Sequence, residues 1–165
     1  MIFVTVGNAT QGFQRLLEAV ELQAQRGNLK GEDILFQSGR TSNFCPTVGQ
    51  NVSFITHEQF EQSVMKADLV ISHAGAGTLI HLLRIGKIPV VMPRQKKYGE
   101  HVDDHQVELV KGLEAQGRVI AAYEADHLGD AIEMARTKRQ GVSCLESGDG
   151  QRLVKMAIEE LLNRA

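Results

Sequence analysis

Between Ser72 and Thr78 the sequence reads Ser-His-Ala-Gly-Ala-Gly-Thr, a small polar stretch with glycine at alternate positions. Before it stands an apolar, mostly β-branched run, Leu69-Val70-Ile71; after it come Leu79, Leu82, Leu83 and Ile85 at helix-like spacing. The order is strand, glycine loop, helix, with Thr78 opening the helix and Gly86 closing it. Glycine has no Cβ, so the backbone turns sharply and a ligand can approach it closely. The first N–H groups of a helix have no partner inside it, and the helix dipole adds about half a positive charge there. Such a loop suits a phosphate or diphosphate; it also suits a tight turn with nothing bound. His73, at the strand end, fits either a structural role on loop carbonyls or a role as phosphate donor or proton-transfer group.

A second polar stretch runs Pro93-Arg94-Gln95-Lys96-Lys97-Tyr98-Gly99-Glu100-His101-Val102-Asp103-Asp104-His105-Gln106. It predicts a basic loop that turns Arg94, Lys96 and Lys97 toward phosphate. A helix from about His101 to Gln116 then carries His101, Asp104, His105 and Gln106 in its first turns, where they could bond sugar hydroxyls. A solvated helix start, with Asp103 and Asp104 favoured by the dipole, is the plainer reading. His101 and His105 would share a helix face. Val102 stands where a zinc protease needs glutamate, so no metal is expected.

Two familiar nucleotide motifs are excluded. Ile80 occupies the third glycine position of a dinucleotide-binding loop, so NAD or FAD is not expected. Gly7 to Gly12 has P-loop glycine spacing, but Phe13-Gln14 replaces the lysine and hydroxyl that an ATPase requires.

These stretches need a scaffold. The sequence predicts strands at Ile2–Val6, Asp33–Gln37, Val52–Ile55, Leu69–Ile71, Pro89–Met92 and Arg118–Ala121. Helices are predicted from Phe13 to before Gly27, at His57–Lys66, after the glycine loop, at about His101–Gln116, at Leu128–Ala135 and at Gln151–Asn163. The last carries Val154, Ile158, Leu161 and Leu162 as its apolar stripe. Alternating strands and helices predict an α/β, Rossmann-like parallel sheet with helices on both faces. Ligands then bind beyond the carboxyl ends of the strands. That places Gly7–Gly12, Ser38–Pro46, Ser72–Gly77 and Arg94–Glu100 on one edge.

With 165 residues, 42% of them hydrophobic and 23% charged, the chain suits one globular domain with a full core. A net charge of −2 gives no overall pull toward nucleic acid. No apolar run is long enough to cross a bilayer, and the first residues read as a strand rather than a signal peptide. Cys45 and Cys144 show no metal-like spacing, and a reducing cytosol is the expected setting. His57 and His127 begin helices and read as capping or surface residues.

Thr5-Val6-Gly7, Gln37-Ser38-Gly39, Ala67 to Thr78, and Pro93-Arg94 followed by Glu100 to Gln106 together resemble one family, the glycosyltransferase family 28 C-terminal domain. Within it the chain looks most like the short catalytic subunits of two-part exopolysaccharide and capsule glycosyltransferases. The cytosolic subunit of the dolichol-linked N-acetylglucosamine transferase is a more distant likeness. The resemblance implies the C-terminal, donor-binding half of a GT-B enzyme. It implies sugar transfer from a UDP-sugar to a polyprenyl-diphosphate-linked acceptor, inverting and without metal or cofactor. It also implies a membrane-anchored partner subunit on the acceptor side, and so a cytoplasmic chain held peripherally at the membrane. Weak self-association or a homodimer is expected for the chain alone.

Position by position, the resemblance gives Gly75, Ala76, Gly77 and Thr78, together with Ser72, to the diphosphate or the adjoining ribose. Gly7 and Asn8 face the sugar-phosphate across the cleft, and Arg94 sits by the phosphates. Glu100, His101, Asp104, His105 and Gln106 go to the donor sugar. His73 is the in-chain candidate for the general base, with the partner as the other source. Two positions depart from the family. The first loop reads Gly7-Asn8-Ala9-Thr10-Gln11 where Gly-Thr-His-Glu-Gln is usual, and His81 stands where a ribose-gripping glutamate is found in larger relatives. A non-catalytic UDP-sugar sensor and a UDP-sugar epimerase are the alternative functions.

Overall fold

The computed structural model describes residues 1–41 and 44–141. The predicted helix at Gln151–Asn163, the loop before it from residue 142 onward, and Cys144 lie outside the described residues.

The described chain alternates strand and helix: β1 (Ile2–Thr5), α1 (Gln14–Gln25), β2 (Ile34–Gln37), β3 (Gln50–Val52), α2 (His57–Lys66), β4 (Leu69–His73), α3 (Ala76–Arg84), β5 (Val90–Met92), α4 (His105–Ala115), β6 (Ile120–Ala121) and α5 (Leu128–Gly141). Single 3-10 turns at Lys96–Tyr98 and Ala125–His127 precede α4 and α5. The strands form one six-stranded sheet in the order β3-β2-β1-β4-β5-β6, every neighbouring pair parallel. This is the Rossmann-like α/β architecture that the alternation predicts.

Period-two alternation along β1 sorts the core onto two faces. Ile2, Val4 and Val6 join Leu16, Leu17 and Val20 of α1 and Leu128, Ala131 and Ile132 of α5 on one face. Phe3 points the other way, to Val64 of α2 and Leu82 of α3, and its ring meets Phe60 edge-on at 5.7 Å. A neighbouring cluster packs Leu79 and Leu83 of α3 against Val110 and Leu113 of α4. So β1 leads into a helix on one face and β4 into a helix on the other. At that switch point the two connections diverge above the carboxyl ends of β1 and β4, where sheets of this kind have their ligand crevice.

Local chemistry sets several boundaries. Thr56 caps α2 through a reciprocal capping box with Gln59. Gly86 ends α3 with φ +75. The Gly86 and Lys87 N–H groups bond the Leu83 and Leu82 carbonyls at 3.1 and 3.0 Å, the pattern of a Schellman motif. Elsewhere the elements differ from expectation. The third strand is Gln50–Val52, not Val52–Ile55, because its ladder with β2 pairs Gln50 with Leu35 and Val52 with Gln37. It is an edge strand, which has no need of apolar residues on both faces, and Phe54 lies exposed beyond its end. The fourth helix begins at His105, not His101, and α5 runs six residues past Ala135, to Gly141. The sixth strand is only Ile120–Ala121.

Gly49 and Gly86 share a left-handed backbone but differ in surroundings. A Cβ at Gly49 would lie 2.4 Å from the Ile34 carbonyl oxygen, whereas one at Gly86 meets nothing within 4 Å. Gly86→Ala is expected to lower stability by about 1 kcal/mol, the cost of the left-handed conformation alone. Gly49→Ala should cost well over twice as much, because β2 must move. Urea unfolding of the two variants measures the difference.

Candidate functional site: a crevice above strands one and four

One wall of the crevice is the loop after β1. Gly7 there has φ +70. The buried carboxamide of Gln37 holds it: Oε1 accepts from Thr5 Oγ1 at 2.5 Å and from the Gly7 N–H at 3.1 Å. Gln37 Nε2 donates to the Gly7 and Ser53 carbonyls at 3.1 and 2.9 Å. Every polar atom of this amide is used inside the protein. At the far end of the loop the Phe13 N–H, which opens α1, donates to Thr41 Oγ1 at 2.9 Å.

The other wall is the glycine loop. Gly75 is the N-cap of α3, no side chain caps the helix, and Ala76 and Gly77 are exposed in its first turn. The first intrahelical bond is donated by Leu79 N to the Gly75 carbonyl. The N–H groups ahead of Leu79 therefore have no acceptor within the helix and face outward at its positive end. The helix starts two residues earlier than Thr78, so the glycine stretch is the helix terminus itself.

His73 lies on the floor between the walls. A Cβ added at Gly7 would sit 2.5 Å from its Cε1, and one added at Gly75 would sit 2.2 Å from its Nε2. The imidazole is wedged between the two loops, and each wall needs glycine to accommodate it. Burial first, and then the positive charge of Arg94, hold this histidine down at about 4, against a weaker pull from the Thr5 backbone. That backbone makes no well-formed bond to the ring, and Nδ1 has no hydrogen-bond partner among the described residues. The ring is neutral at physiological pH. A base this weak, enclosed by two loops, is poorly suited to take a proton from an acceptor hydroxyl.

The polar stretch after β5 departs most from expectation. Arg94 is 1% exposed and does not line an open loop. Its guanidinium donates to the Gly12 carbonyl at 2.8 Å, the Val6 carbonyl at 3.2 Å and the Glu100 carbonyl at 3.5 Å, and stacks over Phe13 at 4.7 Å. It bridges the two ends of the first loop from below. Glu100 is likewise buried and not presented to a sugar: both its oxygens accept from Arg15 at 2.8 Å, and Oε2 also accepts the Gln95 N–H. Arg15 also donates to the Pro93 and Tyr123 carbonyls. Ser72 is fully buried and donates to the His73 carbonyl at 2.6 Å, away from any diphosphate. Lys97 pairs with Glu124 at 2.7 Å, and Tyr98 donates to the same carboxylate. Together these two hold Glu124 at about 2.

Other predicted residues stay at or near the surface. Asn8 is exposed and Thr78 half-buried. Gln106, in the first turn of α4, accepts the Arg94 N–H through Oε1 at 3.0 Å, which turns its NH2 outward. Asp104 accepts the Lys96 N–H and so joins the loop to the helix start. His101 and His105 do not share a helix face, because His101 precedes α4. Both meet Asp103, at 2.9 and 3.6 Å. Among the described residues no three His, Cys, Asp or Glu side chains are grouped to hold a metal. His81, on α3, packs edge-on against Phe60 at 5.4 Å and near His57 at 6.1 Å. Sequence reasoning assigned no role to Arg15, Gln37 or Thr41. A glutamine ending an apolar strand was the one visible signal, since a buried amide there must find partners.

A switch point with an uncapped helix N-terminus on one side and a glycine-built backbone on the other defines a Rossmann-like α/β domain. Comparison with known families agrees with this and sharpens it. Residues 1–146 match the model of the glycosyltransferase family 28 C-terminal domain, and the chain belongs to that family. It is 30% identical over 147 residues to the UDP-N-acetylglucosamine transferase subunit ALG13 of Yarrowia lipolytica, covering 82% of this chain and 72% of that protein. The human protein of the same name is 32% identical over 126 residues, 72% of this chain but 10% of the relative. The UDP-N-acetylglucosamine--N-acetylmuramyl-(pentapeptide) pyrophosphoryl-undecaprenol N-acetylglucosamine transferase of Clavibacter michiganensis is 30% identical over 132 residues, 79% of this chain and 34% of the relative. The chain thus spans most of the Yarrowia protein, about a third of the Clavibacter enzyme and a tenth of the human one. Among the described residues no helix is long and apolar enough to cross a membrane.

The wedge makes two predictions. Gly75→Ala should be strongly destabilising alone and much less so in a His73→Ala background; a double-mutant cycle should give a coupling of at least about 1 kcal/mol. The depressed pKa of His73 also sets a pH dependence. The unfolded ring binds its proton near 6.5 and the folded ring only near 4. Its contribution is fully present above about 6.5 and is lost as pH falls toward 4, by roughly 3 kcal/mol. A His73→Gln variant should show a flatter stability profile across that window in urea titrations.

Proposed function

We propose that this chain is the donor-binding part of a UDP-sugar-dependent glycosyltransferase. The observation that carries the reading is the open N-terminus of α3 at the switch-point crevice, facing a first loop held from within by Gln37 and Arg94. Main-chain N–H groups of Ala76, Gly77 and Thr78 would take the diphosphate. Gly7 and Asn8 would face the sugar-phosphate, and Gln106 NH2, with His101, Asp104 and His105, would reach the donor sugar. As the leaving UDP gains charge, these donors are already in place, which is where electrostatic stabilisation is most effective. The reaction on this reading is inverting and needs no metal. UDP-N-acetylglucosamine, the donor in the relatives' names, is the first sugar nucleotide to test.

The acceptor side is proposed to come from a separate, membrane-anchored subunit that presents a polyprenyl-diphosphate-linked sugar, as in exopolysaccharide or capsule synthesis. Two observations support a division of labour. The family match is to the C-terminal domain of its enzymes, and the Yarrowia and human relatives are named as subunits. His73 is buried and weakly basic, so the general base is assigned to the partner. The chain would then work at the cytoplasmic face of the membrane, held there by that partner.

Gly77→Asp tests the donor site separately from folding. A Cβ at Gly77 meets nothing within 4 Å, and its φ lies outside the left-handed range. A carboxylate in the first turn favours the helix dipole, so stability should hold or rise by about 0.5 kcal/mol. The same charge opposes diphosphate, so UDP affinity measured by calorimetry should fall at least tenfold. UDP should also raise the melting temperature of the native chain with EDTA present, since it binds the folded state. Unchanged UDP affinity in Gly77→Asp would remove the donor site from this helix. Sugar transfer on co-expression with the membrane partner distinguishes the enzyme from a UDP-sugar sensor.

A further inference from the structure

Gln37 is the last residue of β2, is 2% exposed, and makes four hydrogen bonds through its carboxamide. Two of them take both main-chain groups of one residue. Oε1 accepts the Gly7 N–H and Nε2 donates to the Gly7 carbonyl, each at 3.1 Å. The same Nε2 reaches the Ser53 carbonyl at 2.9 Å, and that carbonyl also accepts the Gly39 N–H at 2.9 Å. Gly39 closes on the Gly7 carbonyl as well, since a Cβ added there would lie 2.6 Å from that oxygen. The Gly7 carbonyl is thus turned to the end of β2 and held there.

A trans peptide unit is planar, so its C=O and N–H point opposite ways. The unit that begins with the Gly7 carbonyl ends with the Asn8 N–H, which therefore points away from β2. Strands β2 and β4 flank β1 on opposite sides. The Asn8 N–H faces the side of β4, whose last residue, His73, leads through Gly75 into α3. The Val6 carbonyl, one unit earlier, faces the same side, where it accepts from Arg94. Asn8 is exposed and makes no hydrogen bond among the described residues.

A main-chain N–H that is aimed and unbonded is a donor in place before any acceptor arrives, and binding then bears no cost of ordering it. We propose that Gln37 is a positioning residue for donor binding: its amide aims the Asn8 N–H at the diphosphate on the N-terminus of α3, without touching the donor itself. The role rests on the donor-binding reading above, which names Asn8 and leaves open what orients it. Gln37 joins the first loop to the end of β3, so one buried amide sets a main-chain donor opposite those of Ala76, Gly77 and Thr78.

Gln37→Met keeps the length of the side chain and loses both polar atoms. The Gly7 carbonyl is then left without a donor, and its peptide unit is free to rotate. UDP affinity of the folded variant, measured by calorimetry, should fall about tenfold, the order of one hydrogen bond to a charged group. NMR separates aim from stability. In the native chain UDP, and not uridine, should shift the amide resonance of Asn8 together with those of Ala76, Gly77 and Thr78. In Gln37→Met the Asn8 shift should be lost and the other three kept. A variant that is less stable in urea yet keeps the native UDP affinity and the Asn8 shift overturns the proposal, because the amide would then serve stability alone. Should Gln37→Met not fold, Gln37→Asn, with an amide one methylene too short to bridge Gly7 and Ser53, takes the same two measurements. The native chain needs no variant for one further outcome: UDP that shifts Ala76, Gly77 and Thr78 but not Asn8 overturns the role of Gln37 and leaves the donor reading standing. UDP that shifts none of the four refutes the donor reading, and the role falls with it.

Discussion

The imidazole of His73, wedged between Gly7 and Gly75, sets the spacing of the two loops on which everything at this sheet edge depends. A Cβ at Gly7 or at Gly75 would collide with the ring. Strand β4 fixes the ring from below, because His73 is its last residue and pairs in register with Met92 of β5. Sheet register, ring position and loop spacing are therefore one constraint. A shift of β4 by one residue would move His73 to the other face of the sheet and close the gap. Neutrality follows from the same placement: a ring enclosed by two loops, above a buried guanidinium, cannot afford a charge.

The residues with the most ligand-like chemistry face inward. Arg94, Glu100 and Ser72 make internal hydrogen bonds, and the surfaces they leave behind are main-chain amides, glycine and alanine. Long side chains lose rotamer freedom when they grip a ligand, whereas a helix terminus is ordered before anything binds. The buried polar groups serve to hold that terminus and the first loop in place. Arg94 joins Val6 to Gly12 across the loop, and its main-chain N–H fixes the Gln106 amide. One residue thereby connects the first loop to the start of α4.

The layered architecture was legible in the sequence because strand and helix periods alternate cleanly. His57–Lys66 was legible to the residue from Phe60 and Val64 one turn apart, and in the structure Thr56 and Gln59 fix its start with a capping box. The glycine loop was legible as a helix entrance, though the helix begins at Ala76 and absorbs the residues that read as loop. The order of the strands, and so the switch point, was not, since local pattern carries no pairing information. The run from Arg94 to Glu100 was misread for a related reason. Its burial depends on Arg15, Gly12 and Tyr123, up to 85 residues away for the Arg15 pair. A basic run next to glycine looks like a surface loop until a distant partner draws its ends inward. The late start of α4 has a local cause: Gly99, at φ +67, ends a 3-10 turn, and Asp104 is tied to Lys96, which leaves His101 outside the helix.

These placements bear on how labour would be divided in the proposed reaction. Proton removal from an acceptor hydroxyl needs a base that is exposed to the acceptor and close to neutral in pKa. His73 meets neither condition, and moving it into reach would break its packing between Gly7 and Gly75. What the crevice offers is the opposite chemistry: helix-terminal N–H groups and a buried cation, both suited to negative charge. In the proposed reaction a surface so arranged would favour departure of a diphosphate and would do nothing to activate an incoming hydroxyl. On the proposed reaction the electropositive half would lie on this chain, and the proton acceptor would then belong on whatever surface closes over it.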